Sequence, residues 1–214
     1  MIQNKKNKSG TSAIYDHIQN LTKIGVALSG EKNIERLLEM ILDEALKFTN
    51  ADGGTLYIMS DDESELHFAI IKNESLNVRM GGAGGKITWP AVKLKKEDGS
   101  PNYSNVSAYV AISGEAVNIA DVYDALGFNF EGTKKYDQDN GYRSRSMLVV
   151  PMRNHENDII AVLQLLNAQD QVTGAVVNFS LEFQEMTLSL ASQAAVALTN
   201  NRHCQFGAFT GIIY

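Results

Sequence analysis

Two apolar runs, SMLVVP at residues 146–151 and IIAVLQLL at residues 159–166, decide the fold. Both are rich in Val, Ile and Leu over strand-like lengths. The segment Asn154-His155-Glu156-Asn157-Asp158 between them has turn composition. Strands joined by so short a connection pair antiparallel, because parallel strands need a crossover of roughly a dozen or more residues. The pattern recurs upstream. Asp52-Gly53-Gly54 reads as a turn, Thr55–Met59 as a strand, Asp61-Asp62-Glu63-Ser64 as a hairpin loop and Leu66–Ile71 as the returning strand.

Helical patterns flank these hairpins. From Thr11, residues Ile14, Ile18, Leu21, Gly25 and Leu28 form a heptad-like stripe, which suits either a partner helix or the chain's own core. Ser29-Gly30 is a candidate break or cap. A second helix has Glu31 in its first turn and an apolar face of Ile34, Leu37, Leu38, Ile41, Leu42, Ala45 and Phe48, the face expected to cover a sheet. The last long element starts at Ser180, a candidate N-cap, and runs to about Asn200 or Arg202 through LSLASQAAVAL. Between the hairpins, residues 73–106 are irregular, with Gly81-Gly82-Ala83-Gly84-Gly85, Trp89-Pro90 and Pro101. Val106–Ile112 reads as a short helix ended by Gly114, Ala116–Ile119 as a short strand, and Asp121–Gly141 as loop and helical turns. Strands that follow each other as hairpins between helices predict an α+β domain with an antiparallel sheet.

Composition bounds the function classes. With 214 residues, 44% of them hydrophobic, the chain suits one domain plus an appendage. A net charge of −6 argues against a general nucleic-acid binder. The lone Cys204 gives no intramolecular disulfide and no thiolate cluster. No apolar run approaches the roughly 18 residues of a membrane span, and the polar start MIQNKKNKSGTS has no apolar signal core. The expectation is a cytoplasmic protein without membrane or nucleic-acid partners.

Tests for chemistry return little. The glycine cluster fails the phosphate-loop pattern, since Met80 stands where its first glycine belongs and Ile87 where Ser or Thr belongs. A flexible loop is the simpler reading. His17, His67, His155 and His203 are scattered without metal-ligand spacing. The pairs Asp61-Asp62 and Glu97-Asp98 fall in loops, where a solvated surface explains them better than acid–base work. In Tyr142-Arg143-Ser144-Arg145-Ser146, an extended backbone puts both arginines on one face and both serines on the other. A serine there suits a ligand or a buried carbonyl equally. The expectation is no catalytic residue, no metal and no cofactor.

Five strings taken together, ADGGTLYI (51–58), SGEAVNIADVYDALGFN (113–129), DNGYRSRSMLVVPM (139–152), IIAVLQLLNA (159–168) and SLASQAAVALTNN (189–201), resemble a GAF domain over residues 31–202. The resemblance is to the regulatory GAF domains of cyclic-nucleotide phosphodiesterases and, most of all, to those that precede HD-GYP phosphodiesterase modules in bacteria. It implies a six-stranded antiparallel sheet with the N- and C-terminal helices on one face and an irregular ligand lid on the other. It also implies a small-molecule-sensing role in signal transduction, with a cyclic nucleotide or other small ligand controlling an attached output domain. The alternative is a ligand-free scaffold used only for dimerisation.

By the same resemblance, ligand contacts fall on Thr55, Ser107, Asp137, Asn140, Ser144 and Gln164, while Asp121 and Phe128 shape the lid. The competing reading is that these polar groups satisfy lid backbone. The family's NKFDE motif is broken here: Asn167 and Phe179 match, whereas Ala168, Phe183 and Gln184 replace Lys, Asp and Glu. Losing both charges together strands neither, and Phe183 is expected to pack over Ala168. The expected organisation is a disordered tail at 1–10, a signalling and dimerisation helix at 11–30, the GAF domain at 31–202 and an unassigned tail at 203–214. A homodimer through the terminal helices is expected, using Ile14, Ile18, Leu21 and Leu28 on the first and Leu188, Ala191, Ala195 and Leu198 on the last.

Overall fold

The computed structural model describes residues 22–204, with side chains described as far as Asn201. The expected tail at 1–10, the stripe residues Ile14, Ile18 and Leu21, and residues 205–214 lie outside that range. Residues 22–30 are helical (α1), and Asn33 then caps α2 (Ile34–Thr49) by accepting the Arg36 N–H at 2.9 Å. Glu31 therefore precedes the helix instead of opening it. It accepts the Asn33 N–H at 2.8 Å and pairs with Arg36. The chain continues as β1 (Ala51–Met59), β2 (Glu65–Asn73), β3 (Val78–Met80), β4 (Val92–Lys93), α3 (Val106–Ser113), β5 (Val117–Ile119), α4 (Glu131–Asn140), β6 (Met147–Arg153), β7 (Ile159–Gln169), β8 (Val176–Val177) and α5 (Leu181–Cys204).

The strands form one antiparallel sheet ordered β3-β2-β1-β7-β6-β5, the six expected strands, with the two-residue β4 and β8 added at β2 and β7. The period of two sorts the side chains into layers. Leu56 and Ile58 of β1, Leu148, Val150 and Met152 of β6, and Ala161, Leu163 and Leu165 of β7 pack under α2 and α5. Tyr57, Met59, Met147, Val149 and Val162 point to the other face, beneath α3 and the loops around it.

Two details reset the expected boundaries. The turn before β1 is made by Asn50, with φ 49°, so Asp52, Gly53 and Gly54 lie inside the strand. Gly54 is there for close approach: a Cβ on it would sit 2.7 Å from Leu42 Cδ1 and 3.0 Å from the Gln164 carbonyl. In β2, Leu56 faces Ile70 while Tyr57 faces Phe68, so Ala69 is an extra residue. That bulge reverses the strand's facing: Phe68 and Ile71 both border the lid side. The glycine cluster folds against the bulge as a 3-10 turn at Gly82–Gly84. A Cβ on Gly81, whose φ is 81°, would meet the Ala69 carbonyl at 1.9 Å. Ala83 donates its N–H to Glu39 Oε1 of α2 at 2.6 Å, so this segment is docked onto the helix layer.

The helix layer also decides what the terminal helices can offer. Leu28 of α1 is buried in the domain's own core, and Gly25 packs against Gln193 of α5. The expected α5 partner stripe is corrected here. Ala191, Ala195 and Leu198 are buried on the sheet and Leu188 packs against the same core, because that stripe is the helix's inner face.

Candidate functional site

A cavity of about 360 Å³ lies between the lid-side face of the sheet and the loops above it, within the range of small-ligand sites. Its floor is Thr55 and Tyr57 of β1, Met147 of β6, and Gln164 and Leu166 of β7; Ile71 and Asn73 close the β2 side. The roof is the first turn of α3 (Asn105–Ser107), the start of α4 with Tyr136, the loop residue Trp89, and Tyr142 and Ser144. Among the described residues that line it, Lys72 is the one of cationic type, and its ammonium is turned to Asp43 of α2 at 2.6 Å.

One wall is aromatic. Tyr57 and Phe68 have ring centroids 4.8 Å apart, Phe68 and Trp89 5.4 Å, and Trp89 and Tyr136 5.8 Å, the last two pairs edge to face. This run of rings bridges sheet, loop and α4, and Trp89 is 38% exposed at its middle. Polar groups line the cavity beside these rings. Ser107 Oγ donates to Gln164 Oε1 at 3.1 Å, and the hydroxyls of Ser107 and Thr55 lie near the Tyr57 phenol. Burial pushes the Tyr57 phenol up to about 12, against a smaller downward effect of those two hydroxyls.

Two buried networks hold the roof down. Tyr142 donates its hydroxyl to Asp52 Oδ2 of β1 at 2.6 Å and accepts from Asn167 Nδ2 of β7 at 2.9 Å. Asn167, with φ 54°, also donates to the Arg143 carbonyl and accepts the Arg145 N–H. Burial, reinforced by the Asp52 carboxylate, pushes the Tyr142 phenol above its ordinary range. The second network centres on Asp137 of α4, which accepts Ser144 N–H at 2.7 Å, Ser144 Oγ at 2.9 Å and the Tyr123 hydroxyl at 3.0 Å. Outside it, the Arg143 guanidinium lies 3.5 Å over the Tyr123 ring and bonds Asp121 Oδ1 at 2.7 Å. Burial pushes the Asp121 carboxyl up, but hydrogen bonds from Arg143 and the Tyr123 N–H outweigh it and hold the group below the usual carboxylate range.

Of the six residues named from the sequence, Thr55, Ser107, Ser144 and Gln164 line the cavity. Asp137 sits behind the wall, its carboxylate taken by Ser144 and Tyr123. Asn140 is exposed at the end of α4 and donates to the Tyr136 carbonyl within its own helix. Phe128 packs among the lid-side apolar residues and Asp121 caps the arginine pair, as residues that shape the lid. Sequence reasoning missed Trp89, Tyr57, Asn73 and Tyr136. The period of two from Thr55 gives Tyr57 directly. Asn73 is hidden by the Ala69 bulge, and Trp89 stands in a stretch without periodicity.

A lidded antiparallel sheet with helices on its other face and a closed-over cavity defines the architecture. The chain belongs to the GAF domain family, whose model matches residues 33–198. It is 38% identical over 140 residues to the dual 3',5'-cyclic-AMP and -GMP phosphodiesterase 11 of Drosophila melanogaster, a stretch covering 65% of this chain and 9% of that protein. The matched stretch is thus a small part of that relative's length. In fold it is similar to the GAF domain of an Acinetobacter phosphoenolpyruvate-protein phosphotransferase, at TM-score 0.62 and 13% identity over 88% of this chain and 95% of that one. It is likewise similar to the free methionine-R-sulfoxide reductase of Neisseria meningitidis, at TM-score 0.61 and 14% identity over 88% and 91%. No described helix is long and apolar enough to cross a membrane, and the described residues contain no cluster of three or more His, Cys, Asp or Glu that would hold a metal ion.

Proposed function

We propose that this chain is the regulatory GAF domain of a bacterial, cytoplasmic signalling protein, that its cavity takes a cyclic nucleotide or a small ligand of similar chemistry, and that occupancy controls an attached output domain such as an HD-GYP phosphodiesterase. The domain would span 31–202, led by the tail at 1–10 and the signalling helix at 11–30. The observation that carries the reading is the composition of the cavity. Its lining combines aromatic rings, for a flat ligand ring, with amide and hydroxyl groups, for ring and ribose edges. The stretch shared with a cyclic-nucleotide phosphodiesterase supports the ligand class.

A ligand-free scaffold used only for dimerisation is the second reading, and one observation favours it. Asp137 and Ser144 satisfy each other, so part of the polar set serves the lid itself. Trp89 is the chain's single tryptophan and lines the cavity, so its emission reports on occupancy. Titration with cyclic AMP, cyclic GMP and cyclic di-GMP is expected to change that emission saturably for at least one of them. The same ligand at 100 times its Kd should stabilise the fold by about 2.7 kcal/mol. No response to any of the three favours the scaffold, and turnover of a cyclic nucleotide by the purified chain overturns the regulatory reading.

A further inference from the structure

We infer that the chain carries a second small-molecule site, at the hairpin end of the sheet, built for a zwitterion with an apolar side chain: a free α-amino acid of the leucine or methionine kind. It concerns a different cavity and is independent of the cyclic-nucleotide reading.

This cavity, of about 340 Å³, shares no lining residue with the first. α3 roofs both: its first turn lines the first cavity, while Ala111 and Ile112 in its last turn line the second. Met59 at the end of β1, Ile159 at the start of β7 and Leu94 complete an apolar surface. The walls are held by hydrogen bonds of their own. Leu94 donates its N–H to the Ser64 carbonyl at 2.9 Å and accepts the Asn102 N–H at 2.8 Å, which ties the 94–101 loop to the β1–β2 hairpin. In the β6–β7 hairpin, Asn154 donates its N–H to the Asp158 carbonyl at 2.9 Å, and its Oδ1 accepts the Asp158 N–H at 2.8 Å. A site held in shape beforehand loses less ordering entropy on binding.

Four charged residues line this cavity, Lys95 and Arg153 of one sign and Glu63 and Asp158 of the other. No ion pair joins them, or joins any of them to another described residue. Arg153 is half-buried, and its guanidinium donates to the Gly114 carbonyl at 2.9 Å and the Asn157 carbonyl at 3.0 Å. These carbonyls orient the fork without neutralising it, and they use two of a guanidinium's five N–H donors. Gly114, with φ 71°, makes the room, since a Cβ there would collide with the guanidinium. An oriented, half-buried guanidinium without a counter-charge suits a carboxylate. A plain carboxylate, however, would also meet Glu63 and Asp158, and a plain amine would meet Arg153 and Lys95. A zwitterion satisfies both signs. Its carboxylate would go to Arg153 and its ammonium to Glu63, because Asp158 Oδ2 already accepts from Asn154 Nδ2 at 3.2 Å. Its side chain would lie on Met59, Ile112 and Ile159.

The test is a methyl NMR titration of the whole chain with L-leucine, beside 4-methylpentanoate, which lacks the ammonium, and 3-methylbutylamine, which lacks the carboxylate. L-leucine is expected to shift the Met59, Ile112 and Ile159 methyl signals saturably and to leave Ile71, which lines the first cavity, in place. Each one-charge analogue should bind about tenfold more weakly, the worth of one charge-assisted hydrogen bond. Glu63→Gln should weaken L-leucine by a similar factor and leave 4-methylpentanoate no weaker, whereas Arg153→Lys should weaken both. No saturable shift at tens of millimolar, or shifts confined to Ile71, overturns the site. An analogue that binds as tightly as L-leucine overturns the zwitterion assignment. Should Arg153→Lys fail to fold, since Arg153 also braces Gly114 and Asn157, Glu63→Gln and the order of the three ligands still decide. Each of these outcomes leaves the cyclic-nucleotide reading of the first cavity to its own test.

Discussion

Tyr142 brings one hydroxyl to two buried partners, Asp52 Oδ2 and Asn167 Nδ2, beside the bonds Asp52 accepts from Ser75 and Asn167 makes to the Arg143 and Arg145 backbone. Tyr142→Phe removes that oxygen and leaves both short of a hydrogen bond. It should destabilise the domain by about 1–3 kcal/mol, read as a lower urea midpoint at unchanged slope. The two most strongly raised phenols, Tyr57 and Tyr142, also set an alkaline limit. In the unfolded chain each tyrosine loses its proton near pH 10, whereas in the folded chain Tyr57 holds its proton to about 12 and Tyr142 holds its own beyond the ordinary range. The folded state therefore binds more protons above pH 10, and unfolding free energy falls as pH rises through that window. The stability is fully present below pH 10. Urea melts at pH 9, 10 and 11 should show the decline, and Tyr57→Phe should flatten it. At this scale the sequence told most where a period applied and least where a bond crossed between elements. Thr55 and Gln164 were named through the family resemblance and alternation along β1 then gives Tyr57, but Asn167 in a left-handed conformation, bonded to three different residues, leaves no periodic trace.

Elements were more legible than their junctions. Amphipathic spacing located α2, and the dense apolar runs located β6 and β7, because burial of one helix face or both sheet faces writes itself into neighbouring residues. The start of β1 was misplaced because glycines signal turns by default, whereas Gly54 answers to the crowding of Leu42 and the Gln164 carbonyl from other elements. The start of α5 was correct: Ser180 Oγ accepts the Phe183 N–H at 3.1 Å. That cap places Phe183 half-buried against the core cluster that holds the fully buried Ala168, the two positions where the family motif carries charges. Ala168→Lys would set an ammonium there with no acidic partner, since Phe183 stands in the acid's place. Its melting temperature should drop well below wild type's, and adding Phe183→Asp should recover part of the loss. An unchanged Tm for the single variant would mean the lysine escapes to solvent and that the apolar replacement is not what holds α5 to the strand.

For the molecule as a whole, the open question of assembly turns on which helix faces remain free. The inner stripes are taken: Leu28, Ala191, Ala195 and Leu198 belong to the domain's own core. What faces outward is smaller, with Val26 on α1 at 70% exposure and Leu181 and Val196 on α5 at 76% and 47%. Three separate apolar side chains do not make a stable interface alone, since standard interfaces involve roughly 20–30 residues a side. A homodimer through the terminal helices must therefore draw on the Ile14, Ile18 and Leu21 stripe that precedes the described residues. A parallel two-fold pairing would bring both α5 ends out together, the arrangement by which a ligand under the lid could move two output domains relative to each other. Removing residues 1–21 deletes that stripe while sparing the buried Leu28. Sedimentation of both forms at tens of micromolar should give a dimer for the intact chain and a monomer for the truncated one. A monomer in both discards the dimer, and a dimer in both moves its contact onto the faces of Val26 and Val196.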